Sequence, residues 1–184
     1  MQNTLISLHF MFKKLAAICA ATICCLGEPA GATPRGYSTW QELEAKLQSI
    51  DVTVISQREC APVQGVLATY NSFTNVMCIT ERAINSEQLL ETVNHEIIHV
   101  VQDCIQGMSN GQMGSVTRYL ADGDAEEEQQ LDEALFDTLR STGLYEHVAV
   151  LTDNYRSPQA WIETEAYALQ YNQEAVNGLL DMCN

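Results

Sequence analysis

The stretch Asn94-His95-Glu96-Ile97-Ile98-His99-Val100 constrains this chain more than any other. Its spacing is H-E-x-x-H. On an α-helix, at 100° per residue, His95 and His99 lie one turn apart on the same face, so both imidazoles can reach one cation. Glu96 lies beside them, where a carboxylate can take a proton from water held at that cation. The surrounding residues carry the helical period. Gln88, Glu91, Thr92, His95, Glu96, His99, Gln102, Asp103 and Gln106 fall on one side of the wheel. Leu89, Leu90, Val93, Ile97, Val100, Val101, Cys104 and Ile105 fall on the other. The spacing predicts an amphipathic helix that starts near Ser86, stops near Gly107 and carries both histidines on its polar face.

A chain of 184 residues, 46% of them hydrophobic, is long enough for one domain with a real core. Its formal charge of −15, from 9 basic and 24 acidic residues, repels phosphate backbones and anionic membrane surfaces. Nucleic acid is therefore a poor partner, whereas a cationic substrate would be attracted.

The N-terminus reads as an export signal. Lys13 and Lys14 precede an apolar run from Leu15 to Leu26, and Ala30-Gly31-Ala32 then supplies a small-residue cleavage pattern. The run is too short to span a bilayer. The expectation is a signal peptide over residues 1–32, with Met11 a possible true start. A mature domain over 33–184 would follow, secreted or periplasmic, with no stable membrane span. Of 7 cysteines, Cys19, Cys24 and Cys25 lie in that segment, which leaves Cys60, Cys78, Cys104 and Cys183. Export favours two disulfides, and the preferred pairing is Cys60–Cys78 across a hairpin and Cys104–Cys183.

The rest of the chain predicts an α+β fold. Thr39 and Glu42 form a capping-box pattern ahead of a helix to Ser49, and Val52-Thr53-Val54-Ile55 reads as a short strand. Residues 65–70 and 76–80 read as a hairpin. The acidic run from Asp122 to Glu128 lacks the central Gly of a calcium loop. It is expected to open a helix that continues through Leu131, Leu135 and Leu139 to a stop at Gly143. Residues 144–152 are ambiguous between helix and strand. Ser157-Pro158 begins a last helix.

A catalytic cation needs a third protein ligand beside two histidines. On a wheel centred on Glu165, the neighbours are Trp161, Ile162, Ala168, Leu169, Val176, Leu179 and Leu180. Glu163 points about 160° away on that wheel, with Gln159, Gln170, Glu174 and Asn177. A carboxylate in an apolar stripe must be paired, protonated or metal-bound. Glu165 is therefore the first choice, with His147 and Glu163 as alternatives.

The H-E-x-x-H helix, the hairpin before it and Glu165-Ala166 on a later helix together resemble the zincin metallopeptidases, of the gluzincin kind. The resemblance covers roughly residues 65–107 and the C-terminal helix. The longer metzincin pattern fails, because Gln102 and Ile105 stand where it needs Gly and His. The resemblance implies a small sheet packed on the histidine helix, with an edge strand that holds an extended peptide; the first arm of the hairpin is preferred. It implies one catalytic Zn²⁺ on His95, His99 and Glu165, with Glu96 as general base for peptide hydrolysis. His147, Tyr155 and Tyr167 are candidate donors to the tetrahedral intermediate. Gluzincins often carry an Asp four residues after the third ligand. Here that position is Leu169, so another group, such as Asp181 or a backbone carbonyl, would have to orient a ligand histidine. The alternative is an exported, non-catalytic peptide- or partner-binding module on the same scaffold. A purely structural zinc site is disfavoured by the absence of thiolates from the ligand set.

Overall fold

The computed structural model describes residues 40–56, 66–153 and 157–183. The proposed signal peptide, Cys60 and Tyr155 lie outside them. The described residues form an α+β arrangement of eight helices and a three-stranded sheet.

Helix α1 (Trp40–Ser49) buries Leu43 and Leu47, four residues apart, as its period requires. The chain then turns into β1 (Thr53–Ser56). The hairpin arms are β2 (Ala68–Asn71) and β3 (Val76–Ile79). Strand order is β1-β3-β2, with β1 parallel and β2 antiparallel to β3. The central β3 is the most apolar, with Met77, Cys78 and Ile79 buried. The preferred arm β2 is therefore an edge. Leu67 pairs with Thr80 through the Thr80 amide at 2.9 Å. By antiparallel alternation, the backbone groups of Ala68 and Tyr70 then point away from β3, along the open edge.

A short helix, α2 (Glu81–Ile84), is capped by Thr80 Oγ1, which accepts from the Ala83 amide at 3.2 Å. The histidine helix α3 (Leu89–Cys104) starts three residues later than expected. Ser86 does not cap it, because its hydroxyl instead donates to the Ala83 carbonyl of α2. Past its end, Gly107 takes φ +85°, as the predicted stop requires. Helix α3 is buried on its apolar and its polar side alike, with Glu96, His99, Gln102 and Asp103 all covered.

Five further helices follow. Ser115 caps α4 (Val116–Ala121), and the two free amides of Glu126 and Glu127 at the start of α5 (Ala125–Ser141) are taken by Asp124 Oδ1. Helix α5 buries Leu131, Leu135 and Leu139 and ends before Gly143 at φ +73°, as its sequence predicts. Residues 145–152 resolve as helix α6 (Tyr145–Thr152). The last helix is two helices, α7 (Ser157–Leu169) and α8 (Gln173–Leu180), and Asn172 caps the second. A 3₁₀ turn (Asp181–Cys183) brings Cys183 to Cys104, and the expected Cys104–Cys183 disulfide is present. Cys78 is also disulfide-bonded, but its expected partner Cys60 lies outside the described residues. No described helix is long and apolar enough to cross a membrane.

Candidate metal centre

Helix α7 packs along α3 and brings a polar stripe of its own against the polar face of α3. The Nε2 of His95 lies 3.4 Å from Glu163 Oε2, and the Nε2 of His99 lies 3.7 Å from Glu163 Oε1. One ligand atom from each of the three residues falls within 4.8 Å of the others. In a tetrahedral centre with bonds of ~2.1 Å, neighbouring ligand atoms stand about 3.4 Å apart. Two neutral imidazoles and one carboxylate at this spacing suit a divalent cation with a position left for a fourth ligand.

The remote ring nitrogens fix the orientation. His99 Nδ1 lies 2.7 Å from Gln102 Oε1, and His95 Nδ1 lies 3.2 Å from Gln170 Oε1. Gln102 Nε2 donates to the Ile162 carbonyl and to Glu165 Oε2, both at 2.9 Å, so its oxygen must face His99. An amide oxygen accepts from Nδ1–H, which leaves each Nε2 lone pair directed toward Glu163.

Glu165, the first-choice third ligand, is elsewhere. It is wholly buried, and its carboxylate is taken up by donors. Ser115 Oγ (2.7 Å), Thr117 Oγ1 (3.0 Å), Trp161 Nε1 (3.0 Å) and Gln102 Nε2 (2.9 Å) all donate to it. So do the backbone amides of Val116 (2.9 Å) and Thr117 (3.0 Å), which are free N–H groups at the start of α4. Burial therefore identified a carboxylate that needs partners, and the partners are protein donors. Glu165 reaches the centre only indirectly, by holding Gln102 against His99. The wheel erred because α7 is covered on both sides, by α3 on one and by α5 and α6 on the other. The overlooked signal was a match of polar faces: Glu163 on α7 and Gln170 just past its end face His95 and His99 on α3.

The remaining expected residues are split. Glu96 is buried and takes a hydrogen bond from the Tyr70 backbone amide, so the edge strand holds the expected base. Tyr167 packs its ring 4.5 Å from that of His95, and His147 packs 5.9 Å from Tyr167; both line the cleft. Asp181 does not orient a histidine, since it pairs with Lys46 at 2.9 Å. The Tyr70 hydroxyl donates to buried Asp103 at 2.7 Å, which ties β2 to α3. The cleft, of about 670 Å³, runs between β2, α3 and α7. A second cavity of about 850 Å³, beside α5 and α6, shares Met113 with it but contains neither histidine.

Electrostatics follow from burial and convergence. Burial raises the Glu96 carboxyl, and the two histidines only partly offset it. Burial alone would lower His99, but the Glu163 hydrogen bond and the charges of Glu96 and Glu163 push it up to about 9. Burial opposes ionisation of Glu163, yet its hydrogen bonds to His95 and His99 win and hold it below the usual carboxylate range. Without metal, protons thus stand in for the cation. A raised folded-state value adds stability below the ordinary value of 6.5, and that stability is lost as pH rises through about 9. Glu96, also raised, carries the same sign. Thermal unfolding in EDTA is expected to show stability falling between pH 6.5 and 9.5, and added Zn²⁺ is expected to flatten that fall. A flat profile in EDTA would contradict the proton-for-metal reading.

Comparison with protein-family models, curated proteins and solved structures returns no match for this chain.

Proposed function

We propose that the protein is an exported, zinc-dependent peptidase of zincin-like, gluzincin-type architecture. The observation that carries the reading is the convergence of His95, His99 and Glu163, with Glu96 beside them on the edge strand's amide. The N/N/O donor set, without thiolate, suits a catalytic rather than a structural ion. A Zn²⁺ there supplies a Lewis acid that acidifies water and polarises a carbonyl. The protein's own groups do the rest. The backbone groups of Ala68 and the Tyr70 carbonyl along the open edge pair with an extended peptide, as an added strand would, while the Tyr70 amide stays on Glu96. Glu96 as carboxylate, its basicity raised by burial, accepts a proton from the attacking water and returns it to the leaving amine. His147 and Tyr167 stand in the cleft where a donor to the tetrahedral oxyanion is needed. Export is supported by the leader-like N-terminus and by the Cys104–Cys183 disulfide.

Glu96→Gln separates binding from catalysis. It keeps the shape of the side chain and removes the base, so the variant is expected to retain one Zn²⁺ per chain and to lose peptide hydrolysis by ~100-fold or more. Undiminished hydrolysis would overturn the assignment of Glu96. A wild-type protein that binds peptide without cleaving it would instead favour the non-catalytic module.

A further inference from the structure

The cleft is unusual in its charge. Its lining residues include three carboxylates, Glu91, Glu96 and Glu163, and no lysine or arginine. Glu163 and Glu96 are committed to the metal and to the proton. Glu91 is not. It sits on α3 one turn before His95, about 6 Å along the axis, on the face that carries both histidines. It is partly buried, and it makes no ion pair or side-chain hydrogen bond among the described residues.

The wall opposite completes a subsite. Asn94 Nδ2 donates to the Gln170 carbonyl at 2.9 Å, and the Gln170 side chain meets His95. The break between α7 and α8 is thereby fixed at this level of α3. The next residue, Tyr171, is 47% exposed and lines the cleft. Val66 and Leu67 line it from the approach to β2. A cleft lined by a carboxylate, a tyrosine ring and aliphatic side chains suits a long side chain with an apolar stem and a cationic end.

We propose that this end of the cleft selects a basic residue, lysine or arginine, close to the scissile bond, with Glu91 as the specificity determinant. The inference rests on the peptidase reading and names its substrate class. A 6 Å offset corresponds to about two residues of an extended peptide, so the basic side chain stands within two positions of the cleaved bond. The strongly acidic chain would draw such peptides toward the cleft before they dock.

The test compares peptides that differ only in lysine, norleucine or glutamate at the positions flanking the cleavage site. Two readouts are used: kcat/KM with the zinc-loaded wild-type protein, and affinity by titration calorimetry with zinc-loaded Glu96→Gln. Both should favour lysine over norleucine by about tenfold, the size of one partly desolvated charge pair. Glu91→Gln should bring that ratio toward one, and Glu91→Lys should turn the preference to glutamate. An unchanged lysine-to-norleucine ratio in Glu91→Gln, or a wild-type preference for glutamate, would overturn the inference. The two readings fail separately. Cleavage without charge preference refutes the subsite alone, whereas Glu91-dependent binding without any cleavage refutes the peptidase.

Discussion

Glu163→Ala is expected to weaken Zn²⁺ binding by more than ~100-fold while leaving the fold intact. Loss of a group that merely orients a ligand costs 10–100-fold in affinity, so loss of a direct ligand should cost more. The fold should survive because Glu163 is partly exposed to the cleft and its side-chain ties among the described residues are to His95 and His99. Without Glu163, the His99 imidazole loses the carboxylate that favours its charged form and can rest neutral, so no buried charge is stranded there. Competition with a chelator measures the affinity, and circular dichroism with thermal unfolding of the metal-free protein checks the fold. Tight zinc binding by Glu163→Ala would mean that another group closes the centre.

Glu165→Ala should behave in the opposite way. The carboxylate accepts from six donors of Gln102, Ser115, Val116, Thr117 and Trp161, four of them in buried hydrogen bonds. Each donor left buried and unpaired costs about 1–3 kcal/mol. Even if water reaches some of them, a loss of ~4 kcal/mol or more is expected from a total that rarely exceeds 5–15 kcal/mol. The variant should unfold at far lower denaturant, or fail to accumulate as folded protein. Glu165→Gln keeps the shape but turns an amide toward groups that already donate, so it should rescue only in part. If Glu165→Ala instead kept its stability and lost its metal, the roles of the two glutamates would be exchanged.

Two glutamates two residues apart thus mark what was legible in the sequence and what was not. The period of α3 was legible because each of its positions answers to one rule, the 100° step, and both ligand histidines belong to that one helix. The leucines of α5 and its stop at Gly143 were legible for the same reason. The third ligand depends on which face of α7 meets α3, and α7 has no single apolar face because it is enclosed from two sides. The assumption of one continuous last helix also concealed the break at residues 170–172, which places Gln170 on His95. Gln102 was visible only as a departure from a longer motif. Its role requires knowing that Glu165 and Ile162 lie against its amide, contacts 60 and more residues away in the chain.

The proposed function stands on His95, His99 and Glu163 forming one metal centre. Anomalous diffraction from a crystal of the zinc-loaded protein, recorded on either side of the zinc absorption edge, tests it most directly. A single strong peak is expected within about 2.2 Å of Nε2 of His95, Nε2 of His99 and a carboxylate oxygen of Glu163. Glu165 should remain among its donors on the far side of Gln102. A peak bound by Glu165, or no peak between the two histidines, would contradict it.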